Sequence, residues 1–438
     1  MNRTEIFNHI FESFGKQGLE YVILHSYQKL PNQFDSDIDT AVFVNKIEDA
    51  IHTLDSILSG TGWRVIQYWR HENYAVDCVI SDNFEFLQVD FCTHYERNGR
   101  VVMPVQELVA DRRSYKNFYI PNPIVEFTYI LLKKILKKNF SEGSKEHLVS
   151  LLAVIKNEHG EDELVRSLKR FLSENEIDQT IEFIENEAFD SVNLEKLHTS
   201  LLSNTSSFVA DLHYKLFDIK RKIERIIHPT GMFIVLLGVD GAGKTTIATK
   251  LKEQYATAFR KINHYHSRVR VLKDISQVKK DATPIDASNP HSKKKQANKL
   301  VSIVKFGYYY LDFLIGNIII SISKIKSSLI LVERYYYDYS IDKIRYNLNL
   351  SNLFLNFFGT FILKPDAIFI LTGDSQKLLE RKHEISIQEI DEQKQKLEKM
   401  FRNNSKAVFI DTTEASVDEC VAEMLERCND IMRGRRKW

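Results

Sequence analysis

At 438 residues the chain is long enough for about two to three domains, and 43% hydrophobic with 27% charged residues and 8 prolines is the composition of a globular protein rather than a disordered one. A net charge of +1 excludes a whole-surface attraction to nucleic acid, so only a local basic patch could serve such a partner. The four cysteines (Cys78, Cys92, Cys420 and Cys428) have neither metal-type spacing nor the density of a disulfide framework, which suits a reducing compartment.

The opening MNRTEIFNHIFESFGKQ reads as an amphipathic helix carrying acidic residues, unlike a cleavable signal. Strand-like runs follow in YVILHS, DIDTAVFV, WRVIQYW, YAVDCVIS and FEFLQVDFC, so residues 1–102 form one predicted α/β domain. In DSDIDTAVF, Asp37 and Asp39 lie two residues apart on a strand, and both carboxylates leave the same face. Asp90, in FLQVDF, points away from Leu87, Val89 and Phe91. Three carboxylates converging on one sheet face repel unless a divalent cation lies between them. An Asp-x-Asp at a strand end also occurs with no such role.

These residues resemble the polymerase-β type nucleotidyltransferases: a turn whose Ser is matched by Ser26, a short interval, Asp-x-Asp, and a third Asp on a neighbouring strand. The resemblance implies Asp37, Asp39 and Asp90 as metal ligands and an appended helical bundle. His25 stands where that family has Gly.

Residues 103–229 read almost wholly helical, as in NPIVEFTYILLKKILKKNF and VADLHYKLFDIKRKIERII. HPTG at 228–231 breaks the last helix and sets the boundary of a third region, 230–438. There FIVLLGV, SSLILVE, DAIFILTG and KAVFID are short apolar runs divided by helical stretches, the pattern of a parallel sheet. KKDATPIDASNPHSKKKQ (279–296) reads as a loop. FGYYYLDFLIGNIIISIS (306–323) approaches membrane-spanning length, but it contains Asp312 and Asn317 and reads as a helix buried in the domain core. A cytoplasmic location without membrane association follows as the expectation.

GVDGAGKTT fits G-x-x-x-x-G-K-[ST] through Gly238, Gly241, Gly243, Lys244 and Thr245, with Ala242 and Thr246 in the same loop. Its glycines let successive N–H groups point at phosphate oxygens. Lys244 reaches the β and γ phosphates, and the Thr245 hydroxyl binds the Mg²⁺ carried by the nucleotide. A buried strand leads in and an amphipathic helix leads out, so ATP with Mg²⁺ is the expected ligand. SSLILVERYYYD ends in Glu333-Arg334, where an acidic group serves the metal's water shell and an Arg fork can bridge phosphates. Asp240 is the anomaly: a carboxylate inside a loop built for anions.

GVDGAGKTT, then ERY after an apolar strand, then LTGDSQKLLERKHEIS resemble the thymidylate kinase family over residues 232–438. That resemblance implies that Asp240 hydrogen-bonds a sugar hydroxyl on the acceptor side and that Arg334 holds the acceptor phosphate. It also implies that Arg381 and Lys382 belong to a lid and that Asp411 lies near the adenine. The family's acceptor-side Arg-Glu-Pro-Gly segment is missing, and HYHSRVRV offers Arg268 and Arg270 instead. The chain is also similar to thymidylate-kinase-like proteins encoded among bacterial surface-polysaccharide genes.

The expected whole is an α/β multidomain protein: a nucleotidyltransferase-like domain with a helical bundle, then a phosphate-loop kinase domain with a parallel sheet. Its expected activity is ATP-dependent phosphotransfer of the nucleoside monophosphate kinase kind, with Lys244, Arg334, Arg381 and Asp240 as catalytic residues and Thr245 and Glu333 at the metal. The acceptor is a small molecule of nucleotide type. The alternatives are a sugar or glycan acceptor and a nucleotide-gated regulatory protein; a homodimer is left open.

Overall fold

The alternating N-terminal runs become five strands: β1 (Tyr21–Ile23), β2 (Ile38–Val42), β3 (Arg64–Glu72), β4 (Ala75–Ser81) and β5 (Phe86–Cys92). The computed structural model describes residues 1–97, 99–203, 208–272, 298–383 and 386–435. The chain consists of two compact units, Met1–Ile223 and Glu224–Trp438.

In the first unit the sheet order is β1-β2-β5-β4-β3, with β2 and β5 parallel and β5 antiparallel to β4. The alternation in β5 buries Leu87, Val89 and Phe91 with Phe7, Phe11 and Phe14 of the helix Arg3–Lys16, leaving Gln88 and Asp90 on the opposite face. Two hairpins follow, β6 (His94–Arg97) with β7 (Arg100–Pro104) and β8 (Arg113–Tyr115) with β9 (Phe118–Ile120). The reading of 103–229 as almost wholly helical is therefore corrected for its first part. The β8–β9 turn depends on a left-handed Lys116, with φ of 53°, a conformation no Gly announces in the sequence. After the short helix Val105–Val109, the long helices start with Pro123–Lys137, where Pro occupies the first turn and the Asn122 side chain accepts the Ile124 N–H at 2.9 Å.

The second unit holds β10 (Met232–Gly238), β11 (Lys261–Tyr265), β12 (Ser328–Glu333), β13 (Ala367–Thr372) and β14 (Ala407–Asp411). Their order is β11-β12-β10-β13-β14 and every pair is parallel. Residues 232–237 of β10 are wholly buried, as a central strand covered on both faces requires. The carboxyl end of β10, where the chain has strands on either side, is the place such sheets present to ligands. Ser386 and Glu389 cap the helix Ile387–Phe401 reciprocally, as SIQE in the sequence indicates. The expected loop at 279–296 lies outside the described residues.

The apolar run at 306–323 belongs to the helix Lys299–Ile325, and its expected burial in the core is corrected. Phe306, Asp312, Phe313, Gly316 and Ile320 are buried on one face, whereas Leu311, Ile318 and Ile322 are well exposed. By length and composition this helix is apolar enough to cross a membrane. On its packed face the fully buried Asp312 receives Arg268 at 3.0 Å and the Leu272 N–H at 2.7 Å.

Candidate functional site

The glycine-rich loop GVDGAG connects β10 to the helix Lys244–Gln254. Gly238 is required there because a Cβ would strike the Leu371 carbonyl, and Gly243 caps the helix in a left-handed conformation, with φ of 79°. Lys244 is buried, and its ammonium donates to the carbonyls of Gly238 at 2.8 Å and Val239 at 2.7 Å. Burial, reinforced by the nearby Arg334 charge, brings its pKa down to about 8. Thr245 is exposed, and its hydroxyl donates to Glu333 Oε2 at 3.0 Å. The hydroxyl and carboxylate assigned to one metal from the sequence thus lie side by side. Ala242, within the loop, is buried and Thr246 is exposed.

Glu333 ends β12 and is only 2% exposed. Its second oxygen, Oε1, accepts from His264 Nε2 at 2.8 Å and lies 3.3 Å from His266 Nδ1. Burial disfavours its charge, but the His264 and Thr245 hydrogen bonds outweigh that and hold its pKa low. Neither histidine is evident as a site residue in HYHSRVRV, because only the parallel pairing of β11 with β12 carries them to Glu333.

The Asp240 anomaly is resolved by charge pairing. Arg334 donates to its Oδ1 and Arg345 to its Oδ2, so both carboxylate oxygens carry a guanidinium. Burial opposes ionisation of Asp240, yet the Arg334, Lys244 and Arg345 charges bring its pKa down to about 2. Asp342 supports Arg345 from below, accepting from its Nε at 3.3 Å and its backbone N–H at 3.0 Å. Arg334 has a left-handed backbone, with φ of 53°, a costly conformation for a non-Gly residue and one that collects at working sites. Arg345 was not distinguishable in DKIRY, since its partner is 105 residues away in sequence.

Two expectations change here. Arg268, offered from the sequence as an acceptor-side cation, is buried against Asp312 with its guanidinium 4.3 Å from the Tyr309 ring centre, so it serves packing; Arg270 is exposed. Arg381 ends the helix Ser375–Arg381 and donates to the Thr412 carbonyl at 2.9 Å, so its guanidinium does not join Lys244 and Arg334 in this state. Its Cβ does lie close over Gly241. Asp411 accepts from Thr413 and Glu414 at the end of β14.

In the first unit Asp39 and Asp90 are register partners across β2 and β5, and Asp77, opposite Asp90 on β4, extends the row. Asp37 is exposed just before β2. Asp77 was missed because YAVDCVIS reads as a plain buried strand. Burial, with the Asp77 and Asp39 charges, pushes the Asp90 pKa well up. Asp39 behaves oppositely: burial opposes its charge, but His25 at 2.8 Å and Lys133 at 3.9 Å hold its pKa low. Ser26 is left-handed, with φ of 60°, and its hydroxyl sits 3.0 Å from His25 Nδ1. A cation binding Asp39 therefore competes with two basic neighbours. A basic cavity of about 720 Å³, lined by Arg97, Lys134, Lys137, Lys138 and His198 among others, lies in the same unit.

A carboxyl with a raised pKa stabilises the fold below its unfolded value and forfeits that contribution as pH rises. Asp90→Asn is therefore expected to raise the melting temperature at pH 7 by roughly 2–4 °C, equivalent to about 1 kcal/mol. Mn²⁺ should raise the melting temperature of the parent and not of the variant. Tryptophan fluorescence reports this unit through Trp63 and Trp69. An equal response of both proteins to Mn²⁺ would show that the carboxylate row holds no metal.

No protein-family model matches the chain, and no curated protein matches it in sequence. Among solved structures, thymidylate kinase from Ehrlichia chaffeensis aligns with 45% of this chain and 98% of its own, at 16% identity and a TM-score of 0.31.

Proposed function

We propose that the second unit is an ATP-dependent phosphotransferase acting on an anionic small molecule, nucleotide in type. The observation that carries this reading is the division of charge around the loop. Thr245 and Glu333 form one pair, Asp240 with Arg334 and Arg345 forms a second cluster, and the buried Lys244 charge interacts with both. The oxygen donors of Thr245 and Glu333, 3.0 Å apart, suit a hard cation such as Mg²⁺. When bound with ATP, that ion supplies charge neutralisation at the transferring phosphoryl group.

The chain's own residues do the rest by position and charge. Lys244 leaves the loop carbonyls to bind the donor phosphates, and the loop N–H groups replace water around them. Arg334 and Arg345 present two guanidinium forks whose geometry matches phosphate or carboxylate oxygens. Asp240 holds the pair at a fixed spacing and offsets their mutual repulsion, so the acceptor meets an ordered clamp. Arg381, on turning from Thr412, is a further cation beside the loop, as is Lys382.

The test is a screen of nucleoside monophosphates, sugars and sugar phosphates for stimulation of Mg²⁺-dependent ATP consumption. A single stimulating anionic acceptor is the expected result. A neutral sugar as the best acceptor would transfer the reading to sugar phosphorylation, and nucleotide binding without any stimulation would favour a nucleotide-gated regulator. With the acceptor in hand, Arg345→Ala is expected to lower kcat/KM for it on the order of 10–100-fold, the loss of one charge-assisted contact, with KM for ATP changed only a few-fold.

For the first unit we propose a nucleotidyltransferase-like role, supported by the carboxylate row of Asp39, Asp90 and Asp77 on one sheet face. Loss of nucleotidyl transfer in Asp37→Asn with Asp39→Asn, with phosphotransfer retained, is the corresponding test.

A further inference from the structure

We propose that His264, His266 and Glu333 form a binding site for a borderline divalent transition ion, of the Zn²⁺, Co²⁺ or Mn²⁺ class. The site goes beyond the phosphotransferase reading and does not depend on it.

The three residues are brought together by sheet pairing. His264, near the end of β11, and His266, the residue after it ends, are two apart, which carries both rings toward the next strand. Tyr265, between them, pairs with Val332, which puts both imidazoles beside Glu333 on the next strand. Three ligand atoms, one from each side chain, lie within 4.8 Å of one another. His264 Nε2 and His266 Nδ1 stand 2.8 Å and 3.3 Å from Glu333 Oε1. Ligands at about 2.0–2.1 Å from a tetrahedral ion stand roughly 3.3 Å apart, so small side-chain adjustments seat a metal here.

Donor chemistry decides the class of ion. Two imidazoles and one carboxylate favour Zn²⁺, Co²⁺, Fe²⁺ or Mn²⁺, whereas Mg²⁺ prefers an all-oxygen shell and keeps its waters. Glu333 divides its two oxygens: Oε2 faces the Thr245 hydroxyl, and Oε1 faces the histidines. One buried carboxylate therefore borders both the phosphate loop and the histidine pair. Entry is open, because the His266 side chain is 61% exposed while Glu333 is buried. Three protein ligands leave at least one position for water or a phosphate oxygen.

The experiment is titration of the chelator-treated full chain with Co²⁺, without nucleotide, followed by visible d–d absorption, with Zn²⁺ then added in competition. One equivalent of Co²⁺ with nitrogen-ligated absorption is expected, displaced by Zn²⁺ and retained in a hundredfold excess of Mg²⁺. His266→Ala, at an exposed position, should weaken binding at least tenfold, and His264→Ala with His266→Ala should abolish that absorption, with circular dichroism confirming the fold. Absorption unchanged in the double variant would place the ion elsewhere, for example on the carboxylates of the first unit, and would overturn the proposal. Displacement by Mg²⁺, or no binding in the parent, would overturn it too. None of these outcomes bears on acceptor-dependent ATP consumption, which is measured separately in Mg²⁺.

Discussion

Lys244→Ala is expected to lower ATP-dependent phosphotransfer by on the order of 100–1000-fold while the unit stays folded, the usual consequence of removing one preorganised donor from the transition state. The fold survives because the loop's shape comes from its glycines and from the buried strand before it, and Ala is a good residue for the first helical turn. The ammonium's bonds to the Gly238 and Val239 carbonyls are lost, a cost confined to the loop itself. Unchanged kcat in a coupled assay, with an unchanged circular dichroism spectrum, would remove the kinase reading.

The same lysine has a pH signature. Its folded-state pKa, about 8, lies below the unfolded value of about 10.4. Between those values the unfolded chain binds more protons, so this group makes stability rise with pH through that window and Lys244→Ala removes the rise. Bound polyphosphate restores the charged form. ATP binding near pH 8.5 is therefore expected to take up protons, measurable as a dependence of calorimetric enthalpy on the buffer's ionisation enthalpy. That dependence should vanish in Lys244→Ala.

Asp240→Asn has the second large effect. The amide keeps the size but not the charge, leaving Arg334 and Arg345 to repel each other. Both guanidiniums are less than a quarter exposed, so solvent screens the repulsion only in part. Positive charge at the site increases, so acceptor KM should stay level or fall. The ordered spacing of the clamp is lost, so kcat should drop on the order of 10–100-fold. ATP affinity should stay within a few-fold. A collapse of ATP·Mg²⁺ affinity would instead assign Asp240 to the donor's metal shell. The variant also tests linkage. The Asp240 pKa of about 2, against about 3.9 unfolded, gives roughly 2–3 kcal/mol that is present above pH 4 and lost as pH falls through 2. Asp240→Asn should lack that acid-dependent loss and be less stable at neutral pH.

What the sequence determined by itself is whatever short-range geometry dictates. Consecutive apolar residues in FIVLLG make a central parallel strand, and the alternation in FLQVDF puts Asp90 opposite the core-facing Leu87, Val89 and Phe91. The glycine spacing of GVDGAGKTT shapes a loop at that strand's end, and SIQE caps a helix. Each rests on periods of two or a few residues, which chain stereochemistry enforces locally. The tertiary structure decided the pairings of charge. Arg345 reaches Asp240, His264 and His266 meet Glu333, Asp77 joins Asp90, and Arg268 turns inward to Asp312. These contacts follow from strand order and register, and a side chain's own neighbours in sequence carry no record of them. The helix Lys299–Ile325 shows the same limit for apolar residues: composition marks the run as hydrophobic, but only the packing of one face against the sheet decides which of its side chains are covered.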